Sequence, residues 1–98
     1  MSESETKAVN RVAKDLKIKN ELGLHARAAS ALANLASKFR CEISILKDGV
    51  EINGKSIMGI LMLAAPQGSI IKVSAVGDDA VEAINAIEEL VKGRFGES

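Results

Sequence analysis

Apolar and polar residues alternate in three short segments of this chain, and this two-residue period predicts three β-strands, while the composition of a further segment predicts a fourth. The segments cover residues 15–19, 42–46, 50–52 and 70–76. Asp48 and Gly49 separate the second segment from the third, and an Asp-Gly pair between two strands predicts a tight hairpin. The fourth segment is rich in β-branched apolar residues, so we expect a buried strand there.

Helical patterns fill two of the gaps between these segments. Residues 26–39 are rich in alanine, which has the highest helix propensity of all residues. An apolar stripe at helical spacing runs along them through Leu32, Leu35 and Phe39. A second, short helix is predicted to begin after a cap at Ser56 and to continue to about Leu63.

A third helix is predicted near the end of the chain. Asp79 and Glu82 have the spacing of a capping box, with aspartate in place of the usual serine or threonine. Gly93 stands where a helix would end. The apolar face of this helix consists of Ala80, Ile84, Ile87 and Val91.

The elements follow the order β-α-β-β-α-β-α, which predicts an α/β (α+β) sandwich with helices over one side of a four-stranded, mainly antiparallel sheet. A length of 98 residues suits a single domain. We assign residues 14–98 to that domain. Residues 1–13 are polar with scattered alanine and valine, and we expect them to form a flexible extension outside the core.

Composition excludes several classes of function. The 13 basic side chains are balanced by 13 acidic ones and only 2% of residues are aromatic, so we do not expect nucleic-acid binding. One histidine and one cysteine, Cys41, cannot form a histidine pair or a thiolate cluster, and we expect neither a metal nor a cofactor. A single cysteine, no apolar run long enough to span a bilayer and no apolar secretory core favour the cytoplasm without membrane insertion.

The chemistry of the chain is concentrated at His25. This histidine follows a strand and a glycine turn and precedes the alanine-rich helix. The free N–H groups and the positive end of a helix favour an added anion, and the planar guanidinium of Arg27 suits phosphate oxygens. The spacing is also compatible with a histidine that only caps the helix or lies on its surface, so position alone leaves both interpretations open.

Two longer motifs resemble those of the HPr family, the histidine phosphocarriers of the bacterial phosphotransferase system. The first is GLHARAA at residues 23–29, which is similar to the active-site signature of that family. The second is NGKSIMGI at residues 53–60, which is similar to the signature around its regulatory serine. The resemblance extends from about Asp15 to about Lys92 and implies an open-faced β-sandwich of four antiparallel strands with three helices on one side.

The resemblance also implies roles for individual residues. His25 corresponds to the histidine that is phosphorylated on Nδ1 by phospho-enzyme I, with phosphoenolpyruvate as the original donor. Arg27 corresponds to the arginine that neutralises the phosphoryl group. Ser56 corresponds to the serine that an HPr kinase phosphorylates in many members. The acceptors would be enzyme IIA domains, and the chain would be a monomeric carrier in sugar uptake and its regulation, not a stand-alone catalyst.

A docking surface follows from the same resemblance. It would join the surroundings of His25 to the short helix after Ser56, where two methionines can adapt to several partners. The predicted docking residues are Ala26, Ser30, Ile57, Met58, Gly59, Leu61 and Met62. The chain departs from the family at Ala28, where a proline is usual, and we expect this change to alter the rigidity of the site without abolishing its function.

Two other functions stay open from the sequence. An HPr-like carrier can also serve the nitrogen-related regulatory phosphorelay, and the two signatures do not separate that branch from sugar uptake. A small ligand-binding regulatory domain in which His25 is merely structural belongs to a different class, and it would show no phosphorylation.

Overall fold

The computed structural model describes residues 10–98, and it contains the predicted elements in the predicted order. The strands and helices are β1 (Arg11–Lys17), α1 (Ala26–Ala36), β2 (Glu42–Lys47), β3 (Val50–Asn53), α2 (Ile57–Met62), β4 (Ile70–Val76) and α3 (Ala80–Lys92). A short 3₁₀ turn, Arg94–Gly96, follows α3.

The four strands form one antiparallel sheet in the order β1-β4-β2-β3, so β4 lies inside the sheet beside β1 and β2. Leu16 pairs with Ile71 and Ile45 pairs with Val73, and all four side chains are buried against the helices. The predicted open-faced sandwich, with three helices on one side of the sheet, is therefore confirmed.

The open face explains why β4 is only half buried. Ile71, Val73 and Ala75 have no exposed surface, whereas Ile70 points to the other side and is 54% exposed. The expectation of a buried strand is thus correct for one face only, because the helices cover one side of the sheet.

The first strand begins earlier than the sequence pattern indicates. Arg11 pairs with Val76, and the carbonyl of Asn10 accepts a hydrogen bond from Gly77 N–H at 2.9 Å. Residues 11–13, which the sequence analysis places in the flexible extension, therefore belong to β1, because β4 is long enough to pair with them. The rest of that extension, residues 1–9, lies outside the described residues.

Helix α1 ends at Ala36, three residues before the predicted end. The backbone that follows forms turns of the 3₁₀ type, in which Lys38 N–H and Phe39 N–H donate to carbonyls three residues back, at 3.1 and 3.2 Å. Lys55 then donates its ammonium to the Phe39 carbonyl at 2.7 Å. Phe39 still packs against the core from this turn, which is why it fits the helical stripe of the sequence.

The capping box predicted at Asp79 is wrong in its mechanism. Asp79 precedes α3 as expected, but its side chain makes no capping hydrogen bond. Its carboxylate instead accepts hydrogen bonds from the backbone N–H groups of Arg40 at 2.8 Å and Cys41 at 2.9 Å. The carboxylate therefore holds the backbone that leads into β2. These partners lie 38 and 39 residues away, so local spacing cannot indicate them.

These bonds, led by the one from Arg40 N–H, lower the pKa of the Asp79 carboxyl. A lowered pKa in the folded state stabilises the protein above the ordinary carboxyl pKa of about 3.9, and this stabilisation is lost as pH falls through the lower value. We expect Asp79→Asn to reduce the free energy of unfolding at neutral pH and the deficit to narrow below about pH 4. Urea unfolding across this pH range measures both, with Asp78→Asn, an exposed neighbour, as control. Equal stability of the two variants at neutral pH would contradict this role.

No helix within residues 10–98 is long and apolar enough to cross a membrane.

Candidate functional site

The loop before α1 is held in place by the loop that follows α2. Gly23 has a φ of +65°, a conformation that favours glycine, and a Cβ atom there would lie 2.4 Å from the carbonyl oxygen of Ala65. The next residue, Leu24, is buried and donates its N–H to the same carbonyl at 2.9 Å. This contact fixes the position from which His25 leaves the loop.

His25 is the residue that precedes the first turn of α1. Its backbone is extended and its carbonyl accepts the hydrogen bond from Ala29 N–H at 2.8 Å, but its ring makes no capping bond. The ring is therefore not a side-chain cap. The N–H groups of residues 26–28 precede this first helical bond, so they form the donor-rich helix end that suits an anion.

The imidazole ring is oriented by a carboxylate from the other end of the chain. Its Nε2 lies 2.8 Å from Oε1 and 2.9 Å from Oε2 of Glu97. Asn20, which has no exposed surface, donates its Nδ2 both to Glu97 Oε1 at 2.9 Å and to the Gly23 carbonyl at 2.7 Å. Because Nε2 is engaged with Glu97, Nδ1 is the ring nitrogen that remains for chemistry.

The electrostatics of this contact favour a charged Glu97. The amide of Asn20 contributes most to lowering the pKa of the Glu97 carboxyl, and burial opposes it. The His25 ring and the charge of Arg27 lower this pKa further. A carboxylate is an acceptor only, so Glu97 can accept a hydrogen bond from an N–H at Nε2 of this ring.

An open groove of about 310 Å³ surrounds the ring. It is lined by Glu21, Leu22, His25, Arg27, Glu97 and Ser98. Arg27 is exposed on the first turn of α1, so the groove brings the predicted histidine and arginine together. Leu22 is 69% exposed beside them and is absent from the docking residues that the sequence predicts.

Sequence reasoning also missed Glu97 and Asn20. Glu97 lies 72 residues from His25 and beyond the last predicted helix, and a single glutamate there carries no local pattern. Asn20 reads as a turn residue after the first strand. Residues 94–98 run back to the loop that precedes His25, where Ser98 accepts a hydrogen bond from Glu21 N–H at 2.8 Å. This path brings Glu97 to His25 and Asn20, and it is visible only in the folded structure.

The predicted cap at Ser56 is confirmed. Its hydroxyl accepts a hydrogen bond from Gly59 N–H at 3.0 Å and begins α2. Ser56 itself does not line the groove around His25.

The side chains of α2 form an apolar surface. Met58 and Met62 are more than 70% exposed, and Ile57 and Leu61 are partly exposed, whereas Ile60 is fully buried in the core. Gly59 is half-buried within this helix.

The two predicted halves of the docking surface lie on helices that pack against each other. Helix α1 contributes Ala26, which is exposed, and Ser30, which is half-buried, and it contacts α2 directly. The bond from Leu24 to Ala65 further ties the histidine loop to the loop that follows α2. The helix that carries the exposed apolar residues is therefore attached both to α1 and, through the loop that follows it, to the loop that carries His25.

A larger concavity of about 730 Å³ lies over β2 and β3. It is an open depression lined mainly by Glu42, Ser44, Glu51, Asn53 and Lys55. None of the residues that the sequence analysis assigned to a site lines it. It therefore adds no support to a small-molecule site at His25.

Comparison with known proteins assigns the chain to a family. The family model described as the PTS HPr component phosphorylation site matches residues 12–93. The chain belongs to the HPr family. Membership gives it the general role of a phosphocarrier of the phosphotransferase system and implies partner proteins of that system, such as enzyme I and enzyme II.

Individual relatives agree with this assignment. The phosphocarrier protein HPr of Neisseria meningitidis is 45% identical over 82 residues, which cover 84% of this chain and 92% of the relative. A phosphocarrier protein NPr of Shewanella violacea is 40% identical and covers 92% of this chain and 99% of its own. The crystal structure of HPr-C-His from Thermoanaerobacter tengcongensis superposes with a TM-score of 0.86 at 46% identity, and covers 89% of this chain and 98% of its own.

Proposed function

We propose that this chain accepts a phosphoryl group on Nδ1 of His25 from phospho-enzyme I and passes it to enzyme IIA domains in sugar uptake and its regulation. The observation that carries the proposal is the arrangement of the ring. Its Nε2 is engaged with Glu97, while Arg27 shares its groove at the start of α1. This leaves a nitrogen lone pair on Nδ1 beside groups that stabilise a phosphate.

The bonds that form and break in the transfer involve only the two histidines and the phosphorus. The Nδ1 lone pair attacks the phosphorus of the donor phosphohistidine, the new N–P bond forms as the old one breaks, and the bonding electrons return to the donor nitrogen. The proton on Nε2 of His25 stays in place, so the ring becomes positively charged. Arg27 and the helix N–H groups balance the negative oxygens. Transfer to the acceptor is the same step in reverse.

The surface of α2 supports docking of these partners. A carrier has to bind a donor and then several acceptors, and exposed methionines can repack against different surfaces. Met58 and Met62 are 71% and 73% exposed, and Ile57 and Leu61 extend the apolar area beside them. Leu22, exposed next to His25, fits the same surface. In this role the chain acts as a monomer in the cytoplasm.

Incubation with catalytic enzyme I and phosphoenolpyruvate tests the carrier function. Intact mass spectrometry is expected to show a single phosphoryl adduct that is stable in base, labile in acid and dependent on both components. If several competent enzyme I preparations gave no adduct, His25 would be structural and the regulatory ligand-binding function would take its place.

Phosphorylation at Ser56 would regulate this exchange. Asparagine and aspartate cap helices as well as serine does, so Ser56→Asn and Ser56→Asp both keep the start of α2, and only the second adds a charge. Two unit charges in contact at a protein surface interact by about 1 kcal/mol. If the phosphoryl-transfer step loses that energy, its rate falls by a factor of about 5. We expect kcat/KM with enzyme I to fall about that much for Ser56→Asp alone. Equal values for the two variants would contradict regulation by charge at this position.

The similarity to an NPr protein keeps the nitrogen-related phosphorelay as the second candidate function. The two candidates share the step at His25 and differ in the acceptor. Offering the phosphorylated chain a sugar-specific and a nitrogen-related enzyme IIA in one reaction decides between them, since the physiological acceptor should be labelled first.

A further inference from the structure

We propose that Glu97 is a positioning residue for phosphoryl transfer at His25. Its carboxylate selects the tautomer that has the proton on Nε2 and the lone pair on Nδ1, and it balances the positive charge of the ring while Nδ1 carries phosphorus. This inference rests on the proposed function for its kinetic part and on the contact itself for the tautomer.

The geometry of the contact carries the first step. Both carboxylate oxygens of Glu97 lie within 2.9 Å of Nε2, and a carboxylate has no proton to donate. A neutral imidazole has one N–H, so this partner favours the proton on Nε2. The lone pair is thereby placed on Nδ1 through a contact made at Nε2.

The second step is that the fold holds Glu97 in place independently of His25. Asn20, fully buried, donates to Glu97 Oε1 at 2.9 Å, and the backbone N–H of Glu97 donates to the Arg94 carbonyl at 2.9 Å. The side chain of Glu97 is only 14% exposed. The carboxylate is therefore preorganised in the unphosphorylated protein.

The turn before Glu97 supports a specific role for it. Arg94 and Phe95 have φ values of +56° and +55°, a region that costs about 1–3 kcal/mol for residues other than glycine. The turn buries Phe95 in the core, and it directs residues 97 and 98 to the histidine loop. Strained backbone positions cluster at functional sites, and this one lies directly before the residue that contacts the ring.

The charge of Glu97 matters during transfer. When Nδ1 binds phosphorus, the proton on Nε2 makes the ring cationic, and the adjacent carboxylate stabilises that charge. When the N–P bond breaks, the bonding electrons return to Nδ1 of a ring that has kept its proton. Glutamine has the same shape without the charge, and it presents an N–H beside Nε2, so it weakens both effects.

The experiment compares Glu97→Gln with Glu97→Asp, which keeps the charge, and with Glu89→Gln, the same change at an exposed position of α3. Nitrogen-15 NMR of the unphosphorylated proteins reports the tautomer of His25 and needs no enzyme I. We expect the Nε2–H form to dominate in the wild type and in Glu89→Gln, a mixture in Glu97→Gln, and partial recovery in Glu97→Asp.

Transfer from phospho-enzyme I provides the second measurement. For Glu97→Gln we expect kcat to fall about ten-fold with KM little changed, because Glu97 acts through the ring and its side chain is only 14% exposed. Amide spectra verify that each variant is folded. Wild-type tautomer populations in Glu97→Gln, or a kcat equal to that of Glu89→Gln, would overturn the proposal. A wild type that accepts no phosphoryl group refutes the proposed function instead and leaves the tautomer measurement intact.

Discussion

Replacement of His25 by asparagine is expected to abolish phosphoryl acceptance while the protein stays folded. Asparagine has no nitrogen lone pair that can attack phosphorus, so the step has no substitute nucleophile at this position. The fold should tolerate the change because His25 is partly exposed and does not cap α1, and because Glu97 keeps its bond to Asn20. Intact mass after incubation with enzyme I and phosphoenolpyruvate measures the loss.

Arg27→Met is the matched control for this experiment. It removes the cation of the groove and keeps the nucleophile, so we expect an adduct to form more slowly, but still to form. An acid-labile adduct on His25→Asn would show that another residue accepts the phosphoryl group. It would also mean that the Nδ1 lone pair of His25 is not the nucleophile of the transfer.

The fold was predictable from the sequence because its elements depend on local periods. Alternation of two residues located three strands, β-branched composition located the fourth, helical spacing located the helices, and the hydroxyl of Ser56 marked the start of α2 correctly. Two of the errors occur where a distant partner decides. β4 extends β1 back to Arg11, and the main-chain donors before β2 take the carboxylate of Asp79.

The candidate site divides in the same way. His25 and Arg27 are two residues apart, and a strand, a glycine turn and a helix start are readable around them. Glu97 is joined to them only after α3 has crossed the sheet and a turn with three positive φ values has reversed the chain. Arg94 and Phe95 give no sign of that turn, since residues other than glycine seldom adopt this conformation. Geometry was therefore needed to find the group that orients the ring.

Gly23→Ala, which adds only a Cβ atom, is expected to lower the free energy of unfolding more than any other glycine-to-alanine change near the site. Two costs add at this position. A positive φ costs about 1–3 kcal/mol for alanine, and forced overlap in a packed region costs about 1–3 kcal/mol more. The overlap is with backbone, because the new Cβ would lie 2.4 Å from the Ala65 oxygen and 2.9 Å from Pro66 Cα. Backbone atoms cannot rotate away as a flexible side chain can.

Gly49→Ala separates these two costs. Gly49 also has a positive φ, +82°, but a Cβ there would meet nothing within 4 Å. Urea unfolding should therefore show a loss of about 1–3 kcal/mol for Gly49→Ala and about 2–6 kcal/mol for Gly23→Ala. Transfer from phospho-enzyme I should fall only for Gly23→Ala, because relief of the overlap moves the loop that places His25 against Glu97. Equal losses of stability with equal transfer rates would mean that the contact between this loop and Ala65 does not position the ring.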